Sequence, residues 1–275
     1  MSEQILNIAK PGVRTAPVQQ PKQESTFPTE VINLPSKGWF YPENTPLATG
    51  TLELKAMTAK EEDILTSKNL IQKGVVLDKL LESLIIEKAV NPNEMLNCDR
   101  NAAFVAIRRM AYGDEYKATI TCPKCNADNA VTIDLGKMDN RVFDFSNYEK
   151  GKNAFEFTLP LSKKTVTFRL LTKKDEDAID AELKALQKVT TEVTSEVTTR
   201  LKSVIIAVDG NAEKGPIRKF VDEMRAGDSL ALRNHIRSTT PDVDMSFDFV
   251  CRECACERRE DVPLGVSFFW PHGRV

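Results

Sequence analysis

The sequence predicts an α+β fold built from two copies of one module, each a set of helices followed by a hairpin. Three observations carry that expectation. The stretches "KATITCPKCNADNAVTIDL" and "DFVCRECACERREDVPLGV" each read as a strand, a Cys-x-x-Cys turn and a second strand. At a shift of 129, residues 94–135 and 223–264 match at nine of 42 positions without a gap: Glu94/Glu223, Met95/Met224, Asp99/Asp228, Ala102/Ala231, Ile107/Ile236, Arg108/Arg237, Cys122/Cys251, Cys125/Cys254 and Leu135/Leu264. Upstream, "LKAMTAKEED" resembles "FRLLTKKDED" at a shift of 114, so the second copy has the longer helical middle. Shared helix-and-hairpin composition alone would not put both Cys pairs and both Asp residues on one shift.

The order of elements follows from local signals. Residues 1–28 are rich in Pro, Gln and Ser and read as a flexible N-terminal arm that orders on a partner or stays idle. The first module, 29–139, opens with short strands at Val31–Leu34 and Thr51–Lys55, separated by Pro/Gly/Asn turns. Thr58-Ala-Lys-Glu61 has the spacing of a capping box and starts a short helix. Leu77, Leu80, Leu81, Leu84 and Ile85 share one face of a second helix, stopped at Asn91-Pro92. Asp99 is expected to cap a third helix that runs to about Ala111 and ends at Gly113. The first Cys hairpin follows.

The second module, 140–266, begins with a loop over Asn140–Asn153 and a hairpin over Ala154–Leu171, turning at Ser162–Lys164. Ile179, Leu183, Leu186, Val197, Leu201, Val204 and Ile205 then predict one long amphipathic helix or two, because β-branched Thr190–Thr199 weakens the middle. Asp209-Gly210 turns the chain. Pro216 suits the first turn of a helix ending near Gly227, and Asp228 is expected to cap the last helix before the second Cys hairpin. Residues 267–275 form an aromatic C-terminal tail.

The thiols carry the clearest chemistry. A redox Cys pair usually opens a helix, whose N-terminus lowers the thiol pKa. Here each pair lies in a strand–turn–strand knuckle, which aims two thiolates at one point. Two knuckles supply four thiolates, the usual set for tetrahedral structural zinc. Cys122, Cys125, Cys251 and Cys254 are therefore the expected ligands of one Zn2+, shared between the modules in a zinc-ribbon-like site. Free buried thiols or a disulfide are the alternatives. Cys256 competes with Cys254, but the alignment favours Cys254; Cys98 reads as packing.

Other chemistry is sparse. The formal charge is −2, from 38 Lys and Arg against 40 Asp and Glu, which gives no general attraction to nucleic acid or to an anionic membrane. No apolar run spans a bilayer, and the N-terminus lacks a basic-then-apolar secretion signal. There is no phosphate loop or nucleophile elbow, so no catalytic residue and no small-molecule substrate is expected. His235 reads as structural, and His272 falls in the tail. Arg108-Arg109 and Arg258-Arg259 are diluted by acidic neighbours. Trp39, Phe40 and Tyr41, in a Gly- and Pro-bounded loop, either cap a core or form a contact surface. Phe268, Phe269 and Trp270 either fold back or insert into a neighbour.

At "LPSKGWFYPENTPLATGTLELKAMTAKEEDIL", "GVVLDKLLESLI" and "CPKC", the chain resembles the base-plate hub subunits and hub assembly proteins of T-even-type contractile-tailed bacteriophages. The resemblance is clearest from Val31 to the first Cys hairpin and supplies no catalytic residue. It implies a non-enzymatic part of the phage tail, in or near the base-plate hub, whose partners are other tail proteins. The virion tail is the implied location, after assembly in the host cytoplasm. An assembly factor absent from the mature virion is the alternative; a nucleic-acid-binding zinc ribbon is a second.

Overall fold

The computed structural model describes residues 28–188 and 195–269. Its first half opens with β1 (Thr29–Asn33) and β2 (Thr51–Lys55), paired antiparallel with Ile32 opposite Leu52. The turn leaving β1 puts Lys37 and Gly38 at positive φ, and a Cβ on Gly38 would lie 2.5 Å from the Ala48 carbonyl oxygen. Only glycine fits there. Helix α1 (Ala59–Thr66) starts at the expected capping box. The Glu61 carboxylate reaches back to the Thr58 amide at 2.9 Å and its hydroxyl at 2.6 Å, and also takes Lys55 at 3.0 Å.

Next come α2 (Lys68–Lys73) and α3 (Val76–Leu84). The sequence predicts two helices between Thr58 and Ile85; Gly74, at φ 70°, ends α2 and makes three. Leu80, Leu81 and Leu84 are buried as their spacing predicts, and Ile85 bridges back to Leu54 beside β2. Helix α4 (Asn97–Tyr112) follows, then β3 (Glu115–Thr121) and β4 (Asp128–Asp134).

The second half runs in a similar order, with one strand added between its helices. A three-stranded sheet, ordered β5-β6-β7, contains β5 (Phe155–Thr158), β6 (Thr165–Phe168) and β7 (Ile205–Val208). Between β6 and β7 lie two helices, α5 (Lys173–Gln187) and α6 (Glu196–Val204). The first half of the β-branched run Thr190–Thr199 lies outside the described residues, and its second half enters α6. Ile205, expected on a helix, instead starts β7: β-branched "IIAV" gains a ladder beside β6 that a further helical turn would forgo. Helix α7 (Lys214–Asp222) ends before Gly227, which sits in the first turn of α8 (Ala226–Thr239). Strands β8 (Ser246–Val250) and β9 (Glu257–Asp261) close the second Cys hairpin.

Asp99 and Asp228 depart from expectation in the same way. Neither caps its helix. The cap positions belong to Leu96 and Arg225, so each Asp lies third in its helix and is buried. Asp99 accepts from the Ser36 amide (3.0 Å), the Ser36 hydroxyl (2.7 Å) and the Tyr41 hydroxyl (2.6 Å). Asp228 accepts from the amides of Leu161 (2.8 Å) and Ser162 (3.0 Å). Each carboxylate thus ties its long helix to the turn of the hairpin that opens its half. Those turns share Lys37 and Lys163 at positive φ. Burial pushes the Asp99 carboxyl up against the pull of its donors, and burial plus the Asp99 charge pushes Tyr41 far up.

One apolar core runs through both halves, from Ile32 to Phe269. Helix α4 lies deepest, with Ala103 and Ile107 at 0% and 1% exposure. The bridge from Leu96 to Thr172 joins the halves, and one from Asn140 to Val243 ties the start of the second half to its end. A second small cluster holds Cys122, Phe249 and Cys251.

Two stability predictions follow from the buried acids. Asp99→Ala strands several buried donors and should cost about 2–4 kcal/mol by urea unfolding, with Asp228→Ala costing about half as much. Asp242, whose oxygens face Asn101 at 3.2 and 3.3 Å, is pushed up to about 6 by burial. The fold therefore holds a proton that the unfolded chain releases, and stability falls as pH rises from about 4 to 6. Asp242→Asn should raise stability by about 1–2 kcal/mol at pH 7.5 and by little at pH 4, read by thermal melts.

Candidate metal centre

The two Cys hairpins build the same knuckle. In the first, the Cys122 amide donates to the Ala127 carbonyl (2.9 Å) and the Asn126 amide to the Cys122 carbonyl (2.8 Å). In the second, Cys251 donates to Cys256 (3.0 Å) and Ala255 to Cys251 (3.0 Å). Asn126 and Ala255 both take positive φ, 57° and 51°. The tight turn points amides at sulfur: those of Lys124 and Cys125 at Cys122, that of Ala127 at Cys125, those of Glu253 and Cys254 at Cys251, and that of Cys256 at Cys254. Cys256 is therefore the counterpart of Ala127, serving through its backbone, and its thiol lies outside the cluster.

The knuckles meet. All four sulfurs of Cys122, Cys125, Cys251 and Cys254 lie within 4.8 Å of one another. The cross pairs are 3.7 Å for Cys122–Cys254 and 3.6 Å for Cys125–Cys251. These spacings are far beyond a disulfide bond. They match the ~3.8 Å edge of a tetrahedron with ~2.3 Å metal–sulfur bonds. The donor set and its geometry fit one metal ion held by four thiolates, with no ligand position left over. The Cys254 amide, working against burial, pulls the Cys251 thiol down to about 6. On Cys254 the Cys256 amide pulls down too, but burial and the three neighbouring sulfurs overcome it and push that thiol up to about 12.

Asn129 is a part of the site that no sequence motif marks. It is buried on β4 and reaches across to the other knuckle. Its Nδ2 donates to Cys251 Sγ at 3.5 Å, and its Oδ1 accepts the Arg252 amide at 2.8 Å. The only signal was an Asn where strand alternation turns a side chain inward.

The remaining candidates fall elsewhere. The aromatic loop is core and not contact surface as far as Phe40 and Tyr41 are concerned. Phe40 packs on Phe143, Phe145, Tyr148 and Phe155, and the Tyr41 hydroxyl takes the Leu96 amide at 2.8 Å. Trp39 is half-buried, its indole donating to the Tyr148 carbonyl at 3.0 Å. Phe268 and Phe269 fold back and are buried, at 0% and 1% exposure. The reason is shared: the Phe-rich loop 143–155 and helix α4 offer apolar area that these rings cover. Trp270 and His272 lie outside the described residues. Cys98 is buried packing, and His235 stacks on Phe157 at 4.2 Å, as a structural histidine would. Among the described residues, no helix is long and apolar enough to cross a membrane.

An α+β chain cross-braced at a four-thiol cluster is the class of protein this fold and site define. The chain belongs to the T4 bacteriophage base plate protein family, whose family model matches residues 30–270. No curated protein and no solved structure matches it. That family suggests a non-enzymatic, structural role among other phage tail proteins, in the virion tail.

The cluster makes a direct prediction. Co2+ added to metal-stripped protein should saturate at one equivalent with a strong thiolate-to-metal absorption band. Serine at Cys122, Cys125, Cys251 or Cys254 should abolish the tight site, while Cys98→Ser and Cys256→Ser retain it. Asn129→Ala should weaken binding about 10–100-fold, the usual effect of losing a group that orients a ligand.

Proposed function

We propose that the chain is a structural component of the phage base plate, in its hub region, built of two duplicated modules (29–139 and 140–266) clamped by one structural zinc. The family match over residues 30–270 carries the base-plate reading. The duplication is supported by the repeated order of elements and by three paired details. Capping boxes at Thr58/Glu61 and Thr172/Asp175 each take a basic partner from six residues upstream, Lys55 and Arg169. The buried Asp99 and Asp228 hold matching turns. The knuckles share their amide pattern and positive-φ residue.

Zinc is favoured because a closed four-thiolate shell is typical of its structural sites. A metal held half by each module joins residues more than 120 positions apart, which rigidifies a subunit that must present fixed surfaces to its neighbours. Arg258 and Arg259 on the second hairpin each meet a carboxylate, at 2.7 and 2.8 Å, which favours protein partners over nucleic acid.

The deciding experiment is cryo-EM with mass spectrometry of purified base plates. The chain should appear in the hub with one zinc per copy. Its absence from mature tails, combined with loss of tails when its gene is disrupted, would instead make it an assembly factor.

A further inference from the structure

The long helices α4 and α8 hold matching places, but they are covered differently. Over α4 lies the turn Val266–Phe269. Arg108, itself buried, donates from Nε to the Phe268 carbonyl at 3.1 Å. Phe269 meets Phe104 edge-on at 5.9 Å, and Phe268 packs on Tyr116 at 5.1 Å. Val266 shares a hollow with Val76 and Leu77 of α3.

The shift of 129 carries Phe104 to Arg233 and Arg108 to Arg237. Matching α3 to α6 by their first residues carries Leu77 to Val197 and Leu80 to Arg200. The corresponding face of the second half holds a cavity of about 380 Å³. Leu170, Leu201, Val204 and Ile236 give it an apolar lining, and its charged residues are four arginines, Arg169, Arg200, Arg233 and Arg237, against two carboxylates, Glu176 and Glu196. Among the described residues, no turn like Val266–Phe269 lies over it. Arg200 is paired with Glu176 at 2.7 Å, whereas Arg233 and Arg237 are exposed and meet no carboxylate among the described residues. Val197, at the opening, is 45% exposed.

We propose that this cavity docks a segment of a different base-plate protein. That segment presents one large apolar side chain on a helical turn, with a carboxylate beside it for Arg233 and Arg237. The apolar lining calls for the first feature, and the two unmatched guanidiniums for the second. The chain's own C-terminal turn is a poor occupant. It is already engaged on α4, and residues 266–275 contain no Asp or Glu. The proposal rests on the base-plate reading above.

The test uses full-length chain carrying the photo-crosslinker p-benzoylphenylalanine in place of Val197, supplied to phage-infected cells. Irradiated base plates and assembly intermediates are then analysed by mass spectrometry. A cross-link to a different tail protein is expected. Arg233→Glu with Arg237→Glu should reduce it about tenfold or more, and Arg233→Lys with Arg237→Lys should restore most of it. Metal content and a thermal melt check that the variants fold. Arg233→Gln with Arg237→Gln, expected to give a smaller loss, replaces the Glu pair if that pair does not. The proposal is overturned by a cross-link only to the same chain (its residues 1–27, with Glu3 beside Ile5, included) or to a second copy. It is equally overturned by a cross-link indifferent to these charges, or by none in base plates that contain the chain. An immunoblot separates these outcomes from failure of the functional reading, in which the chain is missing from tails and intermediates alike and the docking surface falls with it.

Discussion

Four thiols brought within 4.8 Å of one another set the terms for the rest of this structure. As free thiolates they would repel, and as two disulfides they stand too far apart. A metal ion would turn this crowding into an attraction, because each sulfur would then meet a cation in place of its neighbours. Everything that positions the knuckles serves that meeting. The positive-φ residues Asn126 and Ala255 fold the turns tightly enough to aim amides at sulfur, and Asn129 reaches from one hairpin to hold the other.

Behind the hairpins, the body is one core and not two. Helix α4 is enclosed by both halves, and the last described turn of the chain covers it. The buried carboxylates add direction to an otherwise non-directional core. An Asp in the first helical turn accepts hydrogen bonds only from a loop held at one place and angle, so each long helix is registered against its own opening hairpin. That registration fixes where β3 and β8 begin, and hence where the sulfurs lie.

Much of this was legible in the sequence because the signals are local or repeated. Cys pairs in strand–turn–strand context, the capping box at Thr58–Glu61 and the Leu face of α3 depend on a few neighbouring residues. The errors share a cause as well. An acid near a helix start reads as a cap, and only the tertiary structure reveals that Asp99 and Asp228 look away from their own helices to distant loops. "IIAV" after an amphipathic run continues a helix by pattern but becomes β7 because β6 offers a free edge. Phe40, Tyr41, Phe268 and Phe269 sit among Gly and Pro as surface aromatics would, yet loop 143–155 and α4 bury them. Asn129 carries no sequence mark because its role is defined by a residue 122 positions away.

The closing turn over α4 has a consequence for biosynthesis. Residues 97–112 emerge from the ribosome long before Val266–Phe269 exist to cover them, and Cys125 waits 126 residues for Cys251. At about 5–20 residues per second this interval is roughly 6–25 s. Through it the nascent chain carries a half-roofed helix and a lone thiol pair, so completion of the first half is gated by translation of the last.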